Sequence, residues 1–273
     1  MSTLIIFLAL AFMLVANNLS AAEISDKKLF GMVVVIDPGH GGKDPGSHGK
    51  FKDAKGYELE VVEDEYVYDV SRRLYRQARA FGGVAFMTAR DELQTKPIDL
   101  LPDKVIPRDD REVYALNGEV VGARTKGIRP RITYANRIFI KYPKHRIVFI
   151  SIHFDSTPNE NLTGVHMIAP EKGRADLSDS LAREFRKAGR LRSLNGAEYN
   201  PAVIDGDRNH GQRRIFVLRE ENEIPQRVLI ELGNFSNPTD VWRIRNFEVR
   251  EQYAKIIAVA LADLNKLPLA RFR

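Results

Sequence analysis

The chain contains no cysteine. That excludes a disulfide-stapled fold, a thioether lipid anchor and any thiolate metal site. A bound transition metal would have to be held by histidine and carboxylate. Internal repeats and low-complexity tracts are also missing, so solenoids and arrays are excluded. The longest apolar run, Leu4 to Val15, falls short of the roughly 20 residues a membrane span needs.

What remains is ordinary globular usage. Hydrophobic residues make up 44% and charged residues 29% of 273 positions, enough for one large domain or two small ones. Lys plus Arg number 42 against 36 Asp plus Glu, a formal charge of +6. Such a balance favours an anionic partner without choosing among nucleic acid, acidic lipid and anionic polymer. Met1 to Ala22 carries no charged side chain, and its apolar run is followed by Ser20-Ala21-Ala22, a small-x-small pattern. This predicts a secretory signal cut after Ala22, with an uncleaved signal anchor as the alternative.

Along the rest of the chain, apolar runs alternate with helical periods. Met32 to Ile36 reads as a strand buried on both faces, ending in Asp37-Pro38-Gly39-His40-Gly41-Gly42. Residues 43 to 58 read as a polar loop. A helix is predicted from about Asp64 to Ala80 through Val67, Val70, Leu74 and Ala78. Strands are expected at Val84 to Thr88, Arg146 to Ile152, Gly164 to Ala169 and Arg227 to Leu232. Helices are expected at Arg131 to Ile140, Asp176 to Ala188 and Phe247 to Leu264. Residues 192 to 212 read as loop. Residues 89 to 128 are polar, proline-spotted and without period, which suggests a functional insertion. The alternation predicts a single α/β domain over 23–273, a twisted, mostly parallel sheet with helices on both faces.

Three buried-looking strands end beside groups that strands rarely need: His40, His153 and Glu231. Ligands of open α/β sheets bind at the carboxyl ends of the strands. Two imidazoles there fit a zinc site, which needs a third protein ligand. On the helical wheel Glu63 lies on the inward face with Val67 and Val70, whereas Glu65 aligns with Asp69, Arg72 and Arg76, the expected wet face. Glu63 is the first choice and Glu60 the second. Glu231, inside the apolar strand VLIELG, suits a general base beside a metal-activated water.

These residues stand in segments that carry a resemblance: VVVIDPGHGGKDPG (Val33 to Gly46), EDEYVYDVSRRL (Glu63 to Leu74), RITYANR (Arg131 to Arg137), SIHFDS (Ser151 to Ser156), GVHMIAP (Gly164 to Pro170) and VLIELGNFSNP (Val228 to Pro238). In this order the chain resembles zinc-dependent N-acetylmuramoyl-L-alanine amidases of the type-3 group. The resemblance implies a phosphorylase/hydrolase-like fold and zinc (Zn2+) on His40, Glu63 and His153, with Glu231 as the catalytic carboxylate. It implies a periplasmic or cell-wall enzyme whose substrate is the peptidoglycan amide between N-acetylmuramic acid and L-alanine. SIHFD carries Asp155 where the family commonly has Asn.

Plainer readings stand beside these. A zinc peptidase or deacylase could use the same constellation on another cell-wall amide, and a non-catalytic wall-binding protein could keep the scaffold. His48, His145 and His166 read as non-ligands, His166 facing water, while His210 lies in a loop near Ile215. The basic clusters around Arg72–Arg79, Arg183–Arg192 and Arg213–Arg214 read first as solvated faces and secondly as a surface for anionic glycan. Nucleic acid fits the charge but not the signal, and no aromatic stacking platform is present. The sequence leaves room for a protein activator without specifying one.

Overall fold

The computed structural model describes residues 29–52, 55–122, 127–205 and 215–273. The predicted signal, His210, Arg213 and Arg214 lie outside the described residues. The strands are β1 (Met32–Pro38), β2 (His48–Lys52), β3 (Glu58–Val62), β4 (Val84–Met87), β5 (Ala89–Arg90), β6 (Val113–Tyr114), β7 (Arg146–Asp155), β8 (Leu162–Thr163), β9 (His166–Ala169), β10 (Ser193–Leu194), β11 (Ala197–Glu198), β12 (Ala202–Ile204) and β13 (Gln226–Asn234). The helices are α1 (Glu63–Ala80), α2 (Ile128–Lys141), α3 (Asp176–Lys187), α4 (Pro238–Arg245) and α5 (Phe247–Leu264).

The central sheet has six strands in the order β12-β9-β13-β7-β1-β4. β4, β1, β7 and β13 run parallel, and β9 pairs with β13 antiparallel. β1 and β7 sit mid-sheet and are buried almost throughout, which is why they read as continuous β-branched and apolar runs rather than alternating ones. Alternate side chains divide between two apolar layers. Met32, Val34, Ile36, Val148, Ile150 and Ile230 face α1, α3, α4 and α5. Val33, Val35, Ile147, Phe149 and Leu229 face α2 and the 3₁₀ turn Phe216–Leu218. The single mostly parallel sheet covered on both faces agrees with the expectation. Among the described residues, no helix is long and apolar enough to cross a membrane.

Three regions differ from the sequence reading. Residues 43 to 58 contain β2, which forms a hairpin with β3, because the alternation Glu58-Leu59-Glu60-Val61 buries one side of β3 against the body and wets the other. Residues 192 to 212 contain three short strands, one of which, β12, extends the main sheet. The third difference is the run from 89 to 122, a strap laid along α1.

That strap buries the first half of the expected wet face. Asp69 is fully buried; its Oδ2 accepts from Arg73 Nε at 2.8 Å and Arg250 Nε at 2.5 Å, and its Oδ1 accepts from the Ile98 amide at 2.6 Å. Both guanidiniums also donate to the Ile98 carbonyl. The Tyr66 and Tyr68 hydroxyls accept from the amides of Ile106 and Asp91. A side chain that would face water on an isolated helix is thus satisfied inside by two guanidiniums and a strap amide, as a buried charge must be. The second half of the face stays wet at Arg76 and Arg79.

Candidate metal centre

Each side chain of the centre is delivered to the carboxyl edge of the sheet by a different element. β1 ends at Pro38, and the Gly39 amide still continues the ladder to the Ile152 carbonyl at 2.8 Å. The chain then turns sharply, with His40 in the left-handed region (φ 62°) that an L-residue enters at a cost. Arg131 of α2 offsets that cost by donating to the carbonyls of Pro38 and His40. His153 projects from β7 one turn of the pleat beyond Ser151. Glu63 opens α1 as β3 ends.

These three converge. His40 Nε2 lies 3.3 Å and His153 Nδ1 3.1 Å from the same oxygen, Glu63 Oε1. One ligand atom from each of the three lies within 4.8 Å of the others. The imidazole rings meet edge to face, centroids 5.0 Å apart. Glu63 is buried and held by the amides of Phe154 and Ser47, at 3.0 and 2.8 Å. Two glycines make room: a Cβ on Gly39 would stand 2.5 Å from the His153 ring, and one on Gly46 2.6 Å from Glu63 Oε2.

The donor set fits a divalent cation such as zinc, two imidazole nitrogens and one carboxylate without any thiolate. The electrostatics point the same way. Burial pushes the pKa of His40 down, yet the Glu63 carboxylate and Asp44, whose Oδ2 lies 3.2 Å from Nδ1, raise it to about 10. Burial pushes Glu63 up, but His40 and His153 hold it well below the usual carboxylate range. The pocket demands positive charge at the point where the three atoms meet.

Glu231 sits on β13 directly across from His153 on β7 and from His166 on β9, so its side chain shares their face of the sheet. Its Oε2 has no hydrogen-bond partner among the described residues. Burial, then the charges of Glu63 and Asp155, raise its pKa well above the ordinary carboxylate value. Burial thus favours the protonated form of this carboxyl. Beside the centre lies a cleft of about 200 Å³ with an apolar wall of Val121, Ile128, Ile215, Phe216 and Leu229.

The remaining candidates separate cleanly. Glu60 lies on the exposed hairpin, bonded to His48 at 2.6 Å, and takes no part. His166 is buried rather than facing water. Asp37, Asp44, Arg131 and Ser151 were not singled out by sequence reasoning although they frame the centre. Arg131 carried a usable signal: it sits three residues after Ile128 and four before Ala135, a cation on the buried face of an amphipathic helix. A second acidic group lies behind the first. Glu65, Asp109 and Glu112 offer oxygens within 4.8 Å of one another where the strap meets α1, with Asp64 buried beside them. Burial raises Glu65 to about 9 and Asp64 to about 8. Glu112 Oε2 also accepts from the Gly42 amide at 2.7 Å, joining the strap to the His40 turn.

Fold and site together define an α/β domain with a histidine–carboxylate centre at the carboxyl edge of its parallel strands. The chain belongs to the N-acetylmuramoyl-L-alanine amidase family, whose sequence profile matches residues 34–263. It is 24% identical over 235 residues to the probable cell wall amidase LytH of Staphylococcus aureus, covering 86% of this chain and 57% of that one. The chain thus spans a little over half the length of the curated relatives it matches. Among solved structures it is similar to the amidase Ami1 of Mycobacterium smegmatis (TM-score 0.56, 19% identity, 87% of this chain and 98% of that one). It is similar also to the catalytic domain of CwlV from Bacillus (Paenibacillus) polymyxa (TM-score 0.54, 18% identity, 85% and 97%). At these identities the likeness establishes the shared fold.

Proposed function

We propose that this chain is a zinc-dependent peptidoglycan hydrolase, cleaving the amide between the lactyl group of N-acetylmuramic acid and L-alanine of the stem peptide. The observation that carries the reading is the meeting of His40, Glu63 and His153 on one point beside Glu231, in a chain of this family. In the same reading residues 1–22 are a secretory signal, 23–273 the catalytic domain and 89–128 an insertion. The place of action is outside the cytoplasmic membrane, in periplasm or wall, consistent with relatives named for the cell wall.

His40, Glu63 and His153 would hold the metal. Zinc supplies Lewis acidity toward the scissile carbonyl when bound. Glu231 takes a proton from the attacking water and returns it to the departing L-alanine nitrogen, giving a lactyl carboxylate and a free amine. Its raised pKa suits the second half of that task and the cationic centre the first. The apolar wall of the adjoining cleft lies on the same face of the sheet as Glu231 and lowers the access of water there. The basic clusters contribute less to glycan binding than their count suggests, since Arg73 is buried on Asp69 and Arg186 is paired with Glu198.

Digestion of purified sacculi by the zinc-loaded protein should release new L-alanine amino termini. D-amino-acid or sugar-amine ends would instead identify a peptidase or deacylase and overturn the proposal. Glu231→Ala should keep its full metal content and lose turnover; a variant that still digests sacculi removes Glu231 from the chemistry.

A further inference from the structure

Behind His153 runs a chain of hydrogen bonds that the proposed chemistry leaves unexplained. His153 Nε2 lies 3.1 Å from Ser151 Oγ, and the Ser151 hydroxyl donates to Asp37 Oδ2 at 2.7 Å. Asp37 Oδ1 accepts from the Thr88 hydroxyl and from Arg131 Nη1 at 2.9 Å. Asp37, Thr88, Arg131 and Ser151 are all buried, so no solvent competes for these bonds.

Counting protons fixes the direction of the chain. A carboxylate paired with a guanidinium only accepts, and a serine hydroxyl has one proton to give. With that proton committed to Asp37, Ser151 Oγ can only accept from the imidazole. The ring hydrogen therefore sits on Nε2, and Nδ1 presents its lone pair to Glu63 Oε1, 3.1 Å away. Two lone pairs at that distance repel unless a proton or a metal ion lies between them, so with Nε2–H held by Ser151, Nδ1 is the nitrogen that exchanges its proton for a metal. A neutral histidine side chain in water interconverts between the two tautomers, so a fixed one depends on the bond its other nitrogen makes.

We infer that Asp37 and Ser151 are positioning residues that lock His153 in the Nε2–H tautomer, so that Nδ1 is already prepared as a metal ligand. Arg131 ties the same relay to His40, because its guanidinium bonds both Asp37 and the carbonyl of His40. One buried cation thereby anchors both the relay behind His153 and the backbone turn that carries His40. The inference rests on the reading of His153 as a metal ligand, and it deepens that reading by naming what selects the ligating nitrogen.

Two substitutions separate a relay from simple packing. Ser151→Ala removes the acceptor and should weaken zinc binding by about 10- to 100-fold, the usual effect of losing a partner behind a ligand; Ser151→Thr, which restores a hydroxyl, should recover most of it. Asp37→Asn introduces an amide donor toward Ser151, which then turns its proton to Nε2 and forces the hydrogen onto Nδ1. That variant should bind zinc more weakly than Ser151→Ala. Affinity is read by chelator competition, with circular dichroism confirming that each variant folds. The tautomer is read without metal, at a pH high enough that the ring nitrogen shifts of ¹⁵N-histidine-labelled protein show a neutral imidazole, His153 being assigned by its loss in His153→Gln. An Nε2–H signal in the parent that moves in Ser151→Ala and returns in Ser151→Thr supports the relay. An Nδ1–H signal in the parent, or equal zinc affinities of parent and Ser151→Ala, overturns it. A parent that binds no zinc would refute the proposed function, while the nitrogen shifts would still decide the relay.

Discussion

Glu65 offers a direct test of how the strap and α1 share charge. Its carboxyl is 2% exposed, it accepts from the Asp109 amide, and it faces Asp109 and Glu112. Burial, followed by the repulsion of its acidic neighbours, raises its pKa from 4.5 to about 9. The folded state thus keeps a proton that the unfolded chain releases above about pH 4.5. Between those two values the native state binds more protons, so stability falls as pH rises, by about 1.4 kcal/mol per pH unit for this group. At pH 7 the accumulated cost is roughly 3 kcal/mol, an upper bound because the strap can shift and admit water. Gln at this position has nearly the same shape, retains the acceptor for Asp109 and never ionises. Glu65→Gln should therefore be more stable than the parent by about 1–3 kcal/mol at pH 7, by more at pH 8, and by nothing at pH 4.5. The assay is urea unfolding of both proteins at pH 4.5, 7 and 8 in the presence of a chelator, so that occupancy of the neighbouring centre does not enter. A difference between the two that stays constant across pH would refute the reasoning, because a packing effect has no proton linkage.

Gly46→Ala adds a Cβ at 2.6 Å from Glu63 Oε2 on a backbone with φ +69°, and should lower zinc affinity at least tenfold by chelator competition while the far side of the sheet stays intact. Arg250→Met leaves Asp69 with one guanidinium instead of two and removes one of the two donors to the Ile98 carbonyl, so unfolding free energy should drop by about 3–5 kcal/mol in denaturant titration. In the same variant, limited proteolysis should cut first between residues 92 and 106, where the strap loses its anchor. Tyr66→Phe should cost about 1 kcal/mol in the same titration, the worth of the bond from the Ile106 amide. Chelation should abolish sacculus digestion and added zinc restore it, measured as release of L-alanine amino termini.

Much of this architecture was legible in the chain. The apolar runs at 32–36 and 146–152 could only be central strands, and the 3.6-residue period of Val67, Val70 and Leu74 located α1 to within a residue. The three residues that converge at the sheet edge were legible too, because a polar group at the end of a buried strand needs a reason and the wheel chose Glu63, although Glu65, expected on the wet face, is buried as well under the strap. What stayed hidden depends on contacts distant in sequence. Nothing local marks Asp69 as buried; its partners are Ile98 and Arg250, and an aperiodic strap supplies the burial. His166 alternates as a solvent-facing residue would, but it stands beside Glu231 in the sheet and is buried there. Asp37 and Ser151 lie within motifs already quoted, yet their roles emerge only when β1 and β7 pair in register, Asp37 opposite Ser151.

Parity along β13 has one more consequence. Glu231 reaches the α2 side because Ile230, its predecessor, goes into the opposite layer with α5. Deleting any single position between Gln226 and Ile230 would swing the carboxyl into hydrocarbon and turn an aliphatic chain toward the cleft. A two-position deletion would preserve the sidedness and merely shorten the reach. Natural length variation in this stretch should therefore come in even steps or not at all.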